Sequence, residues 1–380
     1  MGTIRYGVIG CGMMGQEHLR NIALLPGAEV AAIHEPDPAM AAAAAALAPG
    51  ARAARSVAEV LAAPVDCLLI ASPNQMHLPQ LEEIAATRPL PLLVEKPLFT
   101  DPASAPRLAA FAARYPAPVW VAMEYRYMPA VARLLAEAPA ATGGTLMLSI
   151  REHRFPFLPK VGAWNRFNRN TGGTFVEKCC HFFDLMRLVL GADPVRIMAT
   201  GGQAVNHKDE RPGGEAPDVW DHGYALVDFA GGARAMLELC MFAEGSRWQE
   251  EISAVGPAGK IEALVPGPGR FWPDRLGPPP VAQLVVSPRQ PKGPVAVEVP
   301  VDPALLAAGD HNGATFYQHA RFAAVVRGEA APEVTLADGW WAVAMGQAAQ
   351  VSAAEGRAVD LLAEGYAPPA AAPARASASG

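Results

Sequence analysis

Five cysteines in 380 residues (Cys11, Cys67, Cys179, Cys180 and Cys240) form no C-x-x-C spacing and no disulfide framework, which fits a reducing compartment. No long Lys/Arg run occurs and the formal net charge is −6, so the electrostatic footprint of a nucleic-acid or anionic-membrane partner is missing. No window approaches the roughly 18 uninterrupted apolar residues that a spanning helix needs. The first strand signal, TIRYGVIG, begins at Thr3 and leaves no room for a charged leader, an apolar stretch and a cleavage site. A cytoplasmic chain with no membrane and no nucleic-acid partner is the expectation.

What is present is apolar: 51% of the chain is hydrophobic, too much at this length for one core of ordinary size, so two domains are expected. Up to Glu124, short β-branched runs (TIRYGVIG, AEVAAIHE, DCLLIAS, PLLVEK, PVWVAME) alternate with Ala/Leu-rich helical stretches. Two of these open on Asp-Pro, at Asp37-Pro38 and Asp101-Pro102, a pairing suited to an N-cap and first turn. Strands apolar on both faces with helices between them predict an α/β doubly wound parallel sheet over residues 1–126. After Met128 the runs lengthen, alternate apolar with polar and are separated by Gly-Gly or Gly-Pro turns. This predicts an α+β domain with a large, mainly antiparallel open sheet over 127–365. The final YAPPAAAPARASASG, 366–380, is expected to be a disordered tail.

The first strand runs into Gly10-Cys11-Gly12-Met13-Met14-Gly15, a G-x-G-x-x-G followed by a helical stretch. Glycines there permit a tight turn, approach of backbone to a pyrophosphate, and close helix–strand packing; the helix N-terminus adds N–H donors and a positive dipole end. At the end of the second strand stands Glu35, placed to accept from the adenosine ribose hydroxyls. A carboxylate there repels a 2′-phosphate, and Pro36-Asp37-Pro38 offers no cation to receive one, so NAD is favoured over NADP. Ligands of such sheets bind outside the carboxyl edge, where DCLLIAS delivers Ser72-Pro73-Asn74 with His77 following, and PLLVEKP delivers Glu95-Lys96-Pro97.

The runs GVIGCGMMGQEHL, ASPNQMHLPQLEEIA, LLVEKPL and GGTFVEKCCHFFDLMRLVLG together resemble the Gfo/Idh/MocA family, glucose-fructose oxidoreductase, inositol dehydrogenase and their relatives. Order and spacing agree across about residues 3 to 360, late runs SAVGPAGKIEAL and AAQVSAAEGRAVDL included. The resemblance implies an NAD(P)-dependent oxidoreductase acting on a CH–OH group, and a homodimer or homotetramer.

As one helix, FVEKCCHFFDLM places Glu177, His181 and Asp184 along one polar stripe of a helix otherwise filled by Phe, Leu, Met and Val. Unpaired polar burial costs several kcal/mol, so the stripe must be satisfied or working. Hydride transfer from a carbinol carbon also needs a base, and histidine, at about 6.5, suits neutral pH better than lysine at about 10.4. His181 is therefore expected as general base, with Lys96 stabilising the developing alkoxide. The resemblance implies the same set, Lys96, His181 and the acid four residues earlier; that acid is usually Asp, so Glu177 departs from the pattern by one methylene. Asp184 either orients the imidazole, or pairs with Arg187 or caps another buried polar contact. Adjacent Cys179 and Cys180 point about 100° apart on a helix and cannot join His181 on one metal, so no metal is expected. Lys178 has no assigned role.

Further contacts are expected from the second domain. Trp164 and Arg166 would lie on the cofactor side, and Arg126, His153, Asn165, His311 and Asn312 would join Lys96, Glu177 and His181 around the substrate, with Arg154 as a further candidate. Their mix of donors, acceptors and aromatics suits a polyol, cyclitol or sugar. Two rivals stay open: a glycoside-cleaving or eliminating enzyme that works by transient oxidation, and a non-catalytic dinucleotide-binding regulator.

Overall fold

A computed structural model describes residues 2–369, so most of the expected tail lies outside the described residues. Its start is packed: Tyr366 accepts a hydrogen bond from Trp340 Nε1 at 3.0 Å, which ties residue 366 to the body of the protein.

Six strands, β1 (Ile4–Ile9), β2 (Ala28–His34), β3 (Arg52–Ala54), β4 (Cys67–Ile70), β5 (Leu92–Glu95) and β6 (Val119–Ala122), form a sheet of order β3-β2-β1-β4-β5-β6, parallel throughout. The crossovers carry α1 (Met13–Leu24), α2 (Pro38–Leu47), α3 (Val57–Leu61), α4 (His77–Thr87) and α5 (Ala105–Ala112). Every residue of β4, β5 and β6 is buried, as a sheet covered on both faces requires. Asp37 caps α2 through Ala39 and Met40 N–H, with Pro38 at the first turn. Asp101 caps only a 3-10 turn, and α5 begins at Ala105. β3 was not expected: it is three residues, Arg-Ala-Ala, too short and too poor in β-formers to announce itself.

The second sheet has nine strands: β7 (Met147–His153), β8 (Pro194–Gly202), β9 (His222–Phe229), β10 (Arg234–Cys240), β11 (Glu250–Val255), β12 (Gly259–Val265), β13 (Gln283–Pro288), β14 (Val295–Glu298) and β15 (Val359–Asp360). Their order is β14-β13-β12-β11-β7-β10-β9-β8-β15, and every pairing is antiparallel except β7 with β10. Burial alternates strictly along β10, β11 and β12, so one face looks inward. Against this sheet and between the two halves lie α6 (Pro129–Thr142), α7 (Asn168–Thr171), α8 (Thr174–Glu177), α9 (Cys180–Leu190), α10 (Pro303–Ala308), α11 (Ala314–Val326) and α12 (Leu336–Glu355). α12 opens with a reciprocal Thr335/Asp338 cap. No helix among the described residues is long and apolar enough to cross a membrane.

Late in sequence, the chain returns to the first sheet. His319 of α11 lies 2.8 Å from His18 of α1, ring nitrogen to ring nitrogen, and Phe322 packs on Tyr6 of β1. The backbone of Val121 in β6 donates to Val334 O.

Candidate active site

The glycine turn between β1 and α1 divides into two packing positions and one open one. A Cβ on Gly10, which has φ +89°, would sit 2.5 Å from Ser72 N, and one on Gly15 would sit 2.3 Å from Gly10 O. Gly12 meets nothing within 4 Å, and no side chain caps α1 at that end. Open space over bare helix N–H groups is what a pyrophosphate requires, so the residues present fit a dinucleotide. Cys11 contributes backbone only: its thiol is buried, pushed up to about 12 by burial and by Glu35. Glu35 accepts from Cys11 N (2.6 Å) and Asp37 N (2.8 Å) and so stands at the rim of the turn. Met13 is exposed and Met14 half-buried beside it.

At the carboxyl edge, His77 binds two loops together, its nitrogens 2.8 Å from Pro97 O and 3.0 Å from Ser72 O. Its imidazole is thereby spent inside the protein, and burial holds its pKa below the ordinary range against those carbonyls. Ser72 Oγ donates to Gln80 at 2.6 Å, while the neighbouring Pro73 is half-buried. Glu95 is buried on His18, 2.9 Å away, so it too supports the edge from below.

The expected single helix through FVEKCCHFFDLM is two. α8 starts after the left-handed pair Gly172-Gly173 and ends at Glu177, and α9 begins at Cys180. In an unbroken helix the Glu177 carbonyl would accept the His181 N–H; here Lys96 Nζ donates to it at 3.1 Å. The Glu177 carboxylate turns away from His181 to take Asn74 Nδ2 and Lys160 Nζ, the latter at 3.4 Å. Burial works against the Lys96 charge, but Glu177, Cys180, Glu124 and Glu95 outweigh it and hold the ammonium above its ordinary pKa. Burial, with Lys96, Lys178 and His311 adding to it, drives His181 well below its ordinary pKa and keeps the imidazole neutral. One wall thus carries a fixed cation beside an uncharged ring.

Lys178, unassigned from sequence, has a clear place. Its ammonium is buried, 2.8 Å from Glu152 Oε1 and 2.5 Å from the Tyr125 hydroxyl. The Tyr125 ring lies against His181. Lys178 therefore anchors, through Tyr125, the plate on which His181 rests.

Asp184 neither touches the imidazole nor pairs with Arg187. It takes Arg126 in a buried bidentate pair, Nε to Oδ2 2.6 Å, and Arg126 Nη1 donates a hydrogen bond to Glu333 O at 3.0 Å. Arg126 is thus an internal strut, a correction to its expected place at the substrate. Asn165 is likewise buried, donating to Leu158 O at 3.0 Å, and Arg166 is buried against Glu210 at 2.6 Å. Trp164 is half-buried under the Lys160 ammonium, 4.4 Å from its ring centre, which places it beside Glu177. His153 pairs with Glu238 at 2.9 Å, and Arg154 stands between Glu152 (3.5 Å) and the Phe155 ring. Asn312, at φ +51°, donates to Pro266 O at 3.3 Å.

A chain of three groups that sequence reasoning missed or placed otherwise runs back from His181. Glu124 Oε1 lies 3.7 Å from His181 Nε2 and 3.8 Å from His311 Nε2, and His311 Nδ1 lies 2.7 Å from Glu17 Oε1. Glu124 lies two residues past the end of β6, so the carboxyl-edge rule that selected Ser72 and Lys96 selects it as well. Glu17, on α1, had no such signal, because its partner is near the other end of the chain. No group of three or more potential ligands among the described residues is arranged to hold a metal ion.

The β3-β2-β1-β4-β5-β6 order, the open glycine cradle and the lysine–imidazole wall outside the carboxyl edge define a two-sheet dinucleotide-binding protein. Comparison with known proteins gives the particular family. The model described as "Oxidoreductase family, NAD-binding Rossmann fold" matches residues 4–123, and that described as "Oxidoreductase family, C-terminal alpha/beta domain" matches 143–361. The chain belongs to the Gfo/Idh/MocA oxidoreductase family, and its N-terminal part is the NAD-binding Rossmann fold of that family. It is 38% identical over 198 residues to an inositol 2-dehydrogenase of Corynebacterium glutamicum, covering 51% of this chain and 56% of that protein. It is 32% identical over 199 residues to the rhizopine catabolism protein MocA of Rhizobium meliloti, covering 52% and 60%. These matches span little more than half the length of the relatives. The fold is that of an oxidoreductase from Agrobacterium radiobacter solved with NAD+, L-tartaric acid and magnesium: TM-score 0.77, 18% identity, 95% of this chain and 99% of that one.

Proposed function

We propose that this protein is an NAD-dependent dehydrogenase that oxidises a secondary hydroxyl of a cyclitol or sugar to a ketone. The observation that carries the reading is the pairing of a charged Lys96, fixed on Glu177 O, with a neutral His181 on one wall beyond the carboxyl edge. NAD, when bound, supplies the two-electron acceptor. His181 takes the hydroxyl proton, which its neutral form allows. Lys96 donates to the oxygen as negative charge grows there, and a preset donor in a partly buried wall is worth more than one in water. Glu177, clamped by Asn74 and Lys160, holds the Lys96 side of the wall. Gly10, Gly12 and Gly15 with Glu35 hold the cofactor, and the carboxylate at Glu35 favours NAD over NADP. The names of the relatives, inositol 2-dehydrogenase and MocA, support the cyclitol reading.

Incubation of the purified protein with NAD and a panel of inositols, aldoses and glycosides, followed by the absorbance of reduced cofactor and by aglycone release, tests it. NADH formed with an inositol or sugar is the expected result; aglycone released with no net NADH, or cofactor binding without turnover, overturns it.

A further inference from the structure

Burial and nearby cations leave His181 poorly able to keep a proton it has taken, so the proton needs somewhere to go before the next turnover. Two imidazoles flank one carboxylate oxygen at nearly equal range, His181 Nε2 at 3.7 Å and His311 Nε2 at 3.8 Å from Glu124 Oε1. Both Glu124 oxygens are buried and neither has a hydrogen-bond partner. An unpartnered buried carboxylate is costly, and such a group next to a base is a sign of use rather than packing. His311 is fixed from behind: its Nδ1 is 2.7 Å from Glu17 Oε1, and Glu17 is itself held by Thr315 Oγ1 at 2.8 Å and Asp310 N at 3.1 Å. That leaves His311 Nε2 aimed at Glu124, and the His311 side chain is 20% exposed, the first group on this path that reaches solvent.

We propose that Glu124, which faces the His311–Glu17 pair, takes the proton from His181 after each oxidation and passes it to water by exchange with the His311 imidazolium. The proposal rests on His181 as base. With NAD bound to accept the hydride from the carbinol carbon, the O–H proton would move to His181 Nε2. That N–H then breaks as an O–H forms on Glu124 Oε1; the His311 imidazolium gives its Nε2 proton to water and takes Glu124's in its place, which restores all three groups. Glu124 is faced by Glu95 and Lys96 from the first sheet, Cys180 and His181 from α9, and His311 from the segment before α11, with Tyr125 adjacent. Burial and Glu95 raise it to about 7, against His311 and Lys96, which places its titration in the working range.

Glu124 and His311 are positioning residues, and the pH profile separates that role from mere structure. With wild type, kcat for oxidation should rise through a limb near Glu124's value of about 7. Glu124→Gln should remove the limb and lower kcat by about tenfold with KM little changed, while His311→Gln, by removing a neighbouring cation, should move the limb to higher pH. An unmoved limb in Glu124→Gln, with His181→Ala inactive, overturns the relay alone; full turnover in His181→Ala overturns the base and the relay with it. A second measurement needs no turnover: with ring-labelled histidine, the His181 signal should show a step near neutral pH in wild type that is absent from Glu124→Gln. No step in wild type, or a step kept in the variant, also overturns the proposal.

Discussion

The His181 ring lies parallel to that of Tyr125, centroids 4.1 Å apart and planes inclined by 6°. Behind it, Lys178 and Glu152 fix the phenol, so the imidazole has a rigid backing. Tyr125→Ala should cost about 3–5 kcal/mol of stability and lower kcat by more than about tenfold, whereas Tyr125→Phe should keep the stack and most of the rate. Denaturant unfolding and steady-state kinetics check the pair. Equal loss in both variants would show that the hydroxyl, not the ring, supports His181.

Lys96→Ala and His181→Ala should each lower kcat by about 10²–10⁴-fold, with a smaller change in NAD affinity measured by fluorescence quenching. A loss confined to KM would place either residue in substrate binding rather than in chemistry.

The glycines separate binding from folding. Gly12→Ala should leave the melting temperature unchanged and weaken NAD at least about tenfold, because its Cβ enters open space a pyrophosphate needs. Gly15→Ala should lower the melting temperature first, since its Cβ would meet Gly10 O at 2.3 Å.

The Glu17–His311 pair gives stability a defined pH window. Burial opposes both charges, but each partner stabilises the other: Glu17 falls from 4.5 to about 2, and His311 rises from 6.5 to about 9. The depressed acid contributes fully above its unfolded value and loses its contribution as pH falls toward 2. The raised base contributes fully below its unfolded value and loses its contribution as pH climbs through 9. The pair is therefore most stabilising between about 4.5 and 6.5, by on the order of 2–3 kcal/mol. Melting curves of Glu17→Gln should flatten at both ends of that window.

Asp184→Asn should destabilise by about 3 kcal/mol by leaving the buried Arg126 guanidinium with only Asp338, 3.6 Å away, as counter-charge, with kcat/KM of the folded fraction near that of wild type. A rate loss without a stability loss would instead favour the imidazole-orienting role for Asp184.

The first sheet was legible because each signal is local: β-branched runs, the glycine turn, Glu35 at a strand end. The positions of Lys96, at a strand end, and of His181, on a buried helix, were legible for the same reason, although the single polar stripe was not there. What stayed hidden needed two distant parts of the chain at once. Arg126 looked like a substrate contact because Asp184, 58 residues on, is invisible as its partner in sequence. The break at Lys178–Cys179 has no Pro or Gly to mark it; it is set by Lys96 taking the Glu177 carbonyl from a strand end 81 residues away. β3 fell below any threshold that three alanine-rich residues could pass.

His311 meets Glu17 across 294 residues, and α11 closes on α1 and β1 from the far end of the chain. During synthesis the glycine turn and its strands emerge well before α11, so the groups behind His181 wait for a segment 294 residues after Glu17. Contacts of such long range slow folding, and the growing chain holds a cofactor fold whose unpaired Glu17 and uncovered α1 are exposed to capture by other chains. Premature termination between Ala122 and residue 311 would leave all six strands of the first sheet without the partner that Glu17 needs.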